Sequence, residues 1–182
     1  MKHFLTAVSL SVFSLTCLAS NNTAVNQCSQ LETGFSPEGG AEELVIKTIS
    51  AAQSDIKMMA YLLSSYTVVR ALVSASRHRR VEVEAIVDES NAREKVGRQA
   101  LLILAQAGVH VRTINVYNIA HDKVIIVDGK HVEFGSFNYT KPAATINSEN
   151  ANTCWNNPAF AALYTEHWQS RWEQGNDFPF HR

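Results

Sequence analysis

The chain lacks a charge imbalance: 16 Lys and Arg face 17 Asp and Glu over 182 residues. That balance withholds the broad basic footprint usual in a nucleic-acid-binding domain. Metal-ligand spacing is also missing. His78, His110, His131 and His167 make no His-x-x-x-His with a carboxylate, and three cysteines form no zinc pattern. The residues themselves therefore point to no metal and no cofactor. No internal repeat, low-complexity segment or interdomain linker is present. Beyond the first residues, no apolar run approaches the ~20 residues that a bilayer span requires.

What is there begins with Met1-Lys2-His3 and the apolar stretch Phe4 to Ala19, ending in small residues. A positive start, a short apolar stretch and a small-residue end describe a secretory signal peptide over residues 1–19. Export to the periplasm or beyond follows as an expectation, with a soluble mature domain over 20–182. Roughly 160 residues suffice for one domain with a single core. Removal of Cys17 leaves Cys28 and Cys154, which in an oxidising compartment either pair or stay as two free thiols.

Periodicity lays out the rest. Glu38 to Gln53 reads as a helix, Asp55 to Tyr61 as a strand, and Ser65 to about Arg77 as a second helix. Val81 to Val87 alternates into a buried strand, Asn91 to Ala107 is one helix closed by Gly108, and Val109 to Val116 is another strand. Pro158 opens a last helix with Phe160, Leu163, His167 and Trp172 inward. Helices alternating with strands, followed by a hairpin, imply a mixed α/β sheet with helices on both faces. Trp155, Trp168 and Trp172 are expected to fill the core rather than stack bases.

The most informative stretch is His121-Asp-Lys123-Val-Ile-Ile-Val-Asp128-Gly, followed by Gly135-Ser136-Phe137-Asn138. Val124 to Val127 has the composition of a buried strand, and Asp128-Gly129 signals a two-residue turn with positive φ at both positions. If Val127 pairs with Lys130, His121 falls opposite Ser136, and alternation keeps His121, Lys123, Ser136 and Asn138 on one face. An imidazole, a cation, a hydroxyl and an amide in one hairpin are the groups that attack a phosphodiester and hold its charge. Asp128 has a second explanation, because Asp is favoured in such turns for local reasons.

The spacing His-x-Lys-x4-Asp, then Gly-Ser-x-Asn, resembles the signature of the phospholipase D superfamily. The continuation Asn138-Tyr139-Thr140, Ala143-Ala144 and Asn147-Ser148-Glu149-Asn150 is similar to its small, single-motif bacterial endonuclease branch. The resemblance runs from about Phe35 to the last helix. It implies His121 as a nucleophile forming a phosphohistidine, with Lys123, Ser136 and Asn138 on the phosphate. Glu149 would orient the imidazole, and Asp128 would support the site. It also implies a metal-free reaction and a homodimer, since one motif per chain supplies half a site.

Three basic clusters either track a polyanion or are ordinary solvated surface: Arg77 to Arg80; Arg93, Lys95 and Arg98; and Lys130, His131 and Lys141. The expected function is an exported, metal-independent phosphodiesterase cutting DNA, with RNA a second nucleic-acid candidate. The alternative substrate is the headgroup ester of a phospholipid.

Overall fold

The computed structural model describes Cys28 and residues 30–180, so the expected signal peptide lies outside the described residues. The elements run β1 (Gln30–Ser36), α1 (Gly40–Ala51), β2 (Asp55–Ala60), α2 (Tyr66–Arg79), β3 (Glu82–Asp88), α3 (Glu89–Arg93) and α4 (Lys95–Gln106). They continue with β4 (His110–Ile114), β5 (Lys123–Val127), β6 (His131–Gly135), α5 (Lys141–Thr145), β7 (Glu149–Trp155), α6 (Pro158–Gln174) and β8 (Asn176–Asp177). One eight-stranded sheet has the order β1-β7-β6-β5-β2-β3-β4-β8. Strands β2, β3 and β4 are parallel and the other pairings antiparallel, so the sheet is mixed as expected.

Alternation along the strands feeds two cores. Ile56, Met58, Val83, Ala85, Ile125 and Val127 pack under α1, α2 and α4, while Met59, Ile86, Val124 and Ile126 pack under α6. On α6 the inward residues are Ala161 and Trp168, with Tyr164 and Trp172 beside them, whereas Leu163 is exposed. Trp168 stacks on Trp172 at 4.8 Å, in keeping with a packing role.

The expected single helix over Asn91 to Ala107 is two helices, because Glu94 is extended (φ −78°, ψ 136°). Asn91 is buried and its amide bonds both backbone groups of Leu63. A Cβ at Gly97 would lie 2.2 Å from the Asn91 carbonyl oxygen, so glycine lets α4 fold back onto α3.

The hairpin differs by one residue from the simplest reading. Asp128 (φ 51°) and Gly129 (φ 59°) do form the turn, and Lys130 N donates to Val127 O at 3.1 Å. The ladder, however, pairs Val127 with His131. Lys130 drops out of it because its carbonyl accepts from Asn157 N at 2.7 Å, where α6 begins. Counting back, His121 falls opposite Phe137 rather than Ser136.

Cys28 and Cys154 form a disulfide with Cα atoms 5.3 Å apart, tying the chain ahead of β1 to β7. Closing a separation of 126 residues contributes about 4–5 kcal/mol in the chain-entropy account. Within β6, Glu133 is fully buried: Oε2 accepts from the Tyr139 hydroxyl at 2.8 Å and Oε1 has no partner. Burial pushes its carboxyl up to about 8, against the opposing effect of the Tyr139 bond.

Candidate active site

The C-terminal ends of β2 and β3 and the start of β5 meet at one end of the sheet, where an α/β fold leaves its ligand crevice. His121 is exposed just ahead of β5, and its flanks are held from three sides. Ala120 N donates to the buried Asp88 carboxylate at 2.7 Å, and Tyr61 N donates to Asp122 O at 2.8 Å. The Asp122 carboxylate meets His167 Nε2 at 3.2 Å from α6.

Lys123 is buried, and its Nζ donates to the His121 carbonyl at 2.9 Å. The Tyr61 ring lies 4.8 Å from the His121 ring and 5.5 Å from Lys123 Nζ. Burial pushes the Lys123 ammonium down, while the Asp122 and Glu149 carboxylates pull it part of the way back. A cation short of water and of full neutralisation is suited to an incoming phosphate.

Ser136 follows the end of β6. Ser136 N and Phe137 N both donate to Asn150 O, a local two-against-one bulge that carries Ser136 beside Glu149. The Ser136 hydroxyl donates to Glu149 Oε2 at 2.7 Å and accepts from Asn150 N at 3.0 Å, so its single proton is engaged. Asn147 holds the other Glu149 oxygen at 3.1 Å. Gly135 is required for this approach, since a Cβ there would meet Asn150 O at 2.3 Å. Asn138 sits in the next loop with its Oδ1 buried and without a partner. Tyr139 N then bonds Leu62 O, anchoring that loop against the end of β2.

Five of the six sequence-selected residues thus gather at this end: His121, Lys123, Ser136, Asn138 and Glu149. Asp128 does not. It caps the opposite end of β5, about 17 Å away at ~3.4 Å per residue. There it accepts from Gln53 N, Ser54 N, Ser54 Oγ and Asp55 N. Burial opposes its charge, but these bonds outweigh burial and hold the carboxyl below its usual range. Asp128 ties the hairpin to the start of β2.

The Arg77–Arg80 cluster also lies at that far end, where α2 finishes. Arg79 donates to Ile49 O, Ser50 O and Ala52 O at the end of α1, and Arg77 to Gln106 O at the end of α4. These guanidinium groups complete helix C-termini. Lys95, near the site, has no ion pair among the described residues, whereas Arg93 pairs with Glu89 and Arg98 lies over Phe178.

Motif spacing gives no notice of Tyr61, Asp88 or His167, because each is brought to the motif from a distant element; His167 is the partner of Asp122, which lies within the motif. Among the described residues, no three His, Cys, Asp or Glu side chains converge as a metal cage.

A mixed sheet that offers an imidazole, a buried ammonium, a hydroxyl–carboxylate pair and an amide at one end has the frame of a phosphodiester hydrolase. Comparison with known proteins agrees. A family model described as "Cardiolipin synthase, PLD-like domain" matches residues 45–172. The chain is 33% identical over 180 residues to a phospholipase D of Rickettsia prowazekii (strain Madrid E), covering 98% of this chain and 86% of the relative. It is 36% identical over 141 residues to a phospholipase D of Rickettsia typhi (strain ATCC VR-144 / Wilmington), covering 78% of this chain and 67% of the relative. In structure it is similar to the phospholipase D family member Nuc of Salmonella typhimurium, with TM-score 0.80 and 44% identity over 82% of this chain and 97% of Nuc. NucT of Helicobacter pylori shares the fold, with TM-score 0.69 and 23% identity over 82% of this chain and 100% of NucT. The chain belongs to the phospholipase D family and is a phosphodiesterase of the hydrolase class.

Proposed function

We propose that the protein is an exported, metal-independent endonuclease that cuts DNA, and RNA where offered, through a phosphohistidine. The observation that carries this reading is the exposed His121 imidazole beside the buried Lys123 ammonium, with Asn138 uncommitted nearby. Nitrogen of His121 attacks phosphorus, and a phosphorus–nitrogen bond replaces the bond to the leaving oxygen. The partner subunit's His121 delivers the proton to that oxygen, then takes one from the water that releases phosphate from the first histidine. Lys123 and the Asn138 amide hold the non-bridging oxygens. Ser136 spends its proton on Glu149, so this pair acts by shaping the pocket and setting its charge.

A homodimer belongs to the same reading. One chain supplies one reactive imidazole, and Tyr66, Val116, Ile119 and Ile146 are exposed apolar residues around the site end, a surface that a second copy would cover. Export accords with the apolar N-terminal stretch and the Cys28–Cys154 disulfide. Among the described residues no helix is long and apolar enough to cross a membrane.

Phospholipid headgroup hydrolysis is the second reading, favoured by the Rickettsia relatives, whose names are phospholipase D. Purified mature protein incubated with plasmid DNA, RNA or phosphatidylcholine, each in EDTA, separates the two. DNA cleavage that survives chelation, and falls at least about a thousandfold in His121→Ala, is the expected result. Loss in EDTA with recovery on magnesium or zinc overturns the mechanism. Preferential cleavage of phosphatidylcholine establishes the lipid reading instead.

A further inference from the structure

A groove of about 400 Å³ leads away from the phosphate-binding groups between the first turn of α4 and the α5 segment. Asn138 lines it, so the groove is continuous with the site. Its walls combine apolar surface from Leu62, Val96 and Pro142 with polar groups from Lys95 and Asn147. We propose that this groove is a nucleoside subsite: it takes the sugar and base on one side of the scissile phosphate, and Lys95 contacts the next phosphate along the strand. The proposal rests on the nucleic-acid reading given above.

Size is the first argument, since 400 Å³ falls near the lower end of small-ligand pockets, suited to one nucleoside rather than two acyl chains. Chemistry is the second. An apolar wall accepts the flat face of any base or the hydrophobic side of a sugar, which suits cleavage with little sequence preference. The Glu94 carboxylate on the rim is an acceptor, matched by the amino and hydroxyl donors of a nucleoside. Charge is the third. Lys95 is exposed and makes no ion pair among the described residues, so its ammonium is available at the groove mouth. Glu94 beside it repels phosphate, which leaves the Lys95 end as the path of the backbone.

Lys95→Gln and Val96→Asp test the subsite, and both side chains are exposed, so the fold tolerates the changes. Two substrates are compared: a single-stranded oligonucleotide, and methyl 4-nitrophenyl phosphate, which is too small to extend along the groove. The ratio of kcat/KM for the oligonucleotide to that for the small diester should fall about fivefold in Lys95→Gln, the scale of one screened charge contact. The slope of log KM against log salt should flatten by about one in the same variant. Val96→Asp should lower the ratio further, through a raised KM. An unchanged ratio and slope, with the oligonucleotide still cut by the wild type, overturns the subsite while leaving the nucleic-acid reading intact. A wild type that ignores the oligonucleotide but hydrolyses phosphatidylcholine vesicles overturns both.

Discussion

Replacing Glu133 with Gln should stabilise the protein, and by an amount that grows with pH. Glu133 is fully buried, one oxygen has no partner, and its carboxyl stands at about 8 against an ordinary 4.5. Because the folded value is the higher one, the folded state binds more protons than the unfolded state between these limits, and stability declines as pH rises. The slope is about 1.36 kcal/mol per pH unit, giving roughly 3 kcal/mol at pH 7 and about 5 kcal/mol once pH exceeds 8. Gln keeps an acceptor for the Tyr139 hydroxyl and never ionises. Its stability should match wild type near pH 4.5 and exceed it increasingly above. For a domain of ordinary stability, about 5–15 kcal/mol, the difference is easily measured. Urea unfolding followed by the fluorescence of buried Trp168 at pH 5, 7 and 8.5 provides the curves. A difference between variant and wild type that stays constant across these pH values refutes the reasoning, because Glu133 would then be ionised in the folded protein.

Two further outcomes concern residues at the far end of the sheet. Asp128→Ala should cost about 3 kcal/mol in urea unfolding, since four donors from Gln53, Ser54 and Asp55 lose a charged acceptor, while kcat per folded molecule stays within a few-fold of wild type. Arg79→Ala should lose about 1 kcal/mol of stability, given its exposure, and leave the salt dependence of DNA cleavage unchanged.

Local chemistry makes much of the fold legible in the sequence. The β-branched run Val124–Val127, the alternation of Val83 and Ala85, and the Asp128–Gly129 turn each carry their conformation in their own residues. What escaped prediction depends on distant partners. The hairpin register shifts because Asn157, 27 residues on, captures the Lys130 carbonyl. The break at Glu94 exists because Leu63 engages Asn91. At the site, the motif identified the groups that gather, but Asp128 shares the motif without sharing the location: strand β5 carries one end of the motif to the crevice and the other to the scaffold. Likewise the Arg77–Arg80 cluster looks like a polyanion track in sequence, and α2 delivers it to the wrong end for that purpose.

The strand order also governs how this chain could be closed on itself. Strands β1 and β8 are the two edges of the sheet, so seven inter-strand steps of about 4.8 Å separate the entry and exit of the described chain by roughly 34 Å. A circular permutant needs at least about ten fully extended residues to bridge that width. A relaxed Gly/Ser connection would need nearer forty residues. Too short a bridge would spare β1, which Cys28 fastens to β7, and would peel away β8, whose ladder with β4 is two residue pairs long.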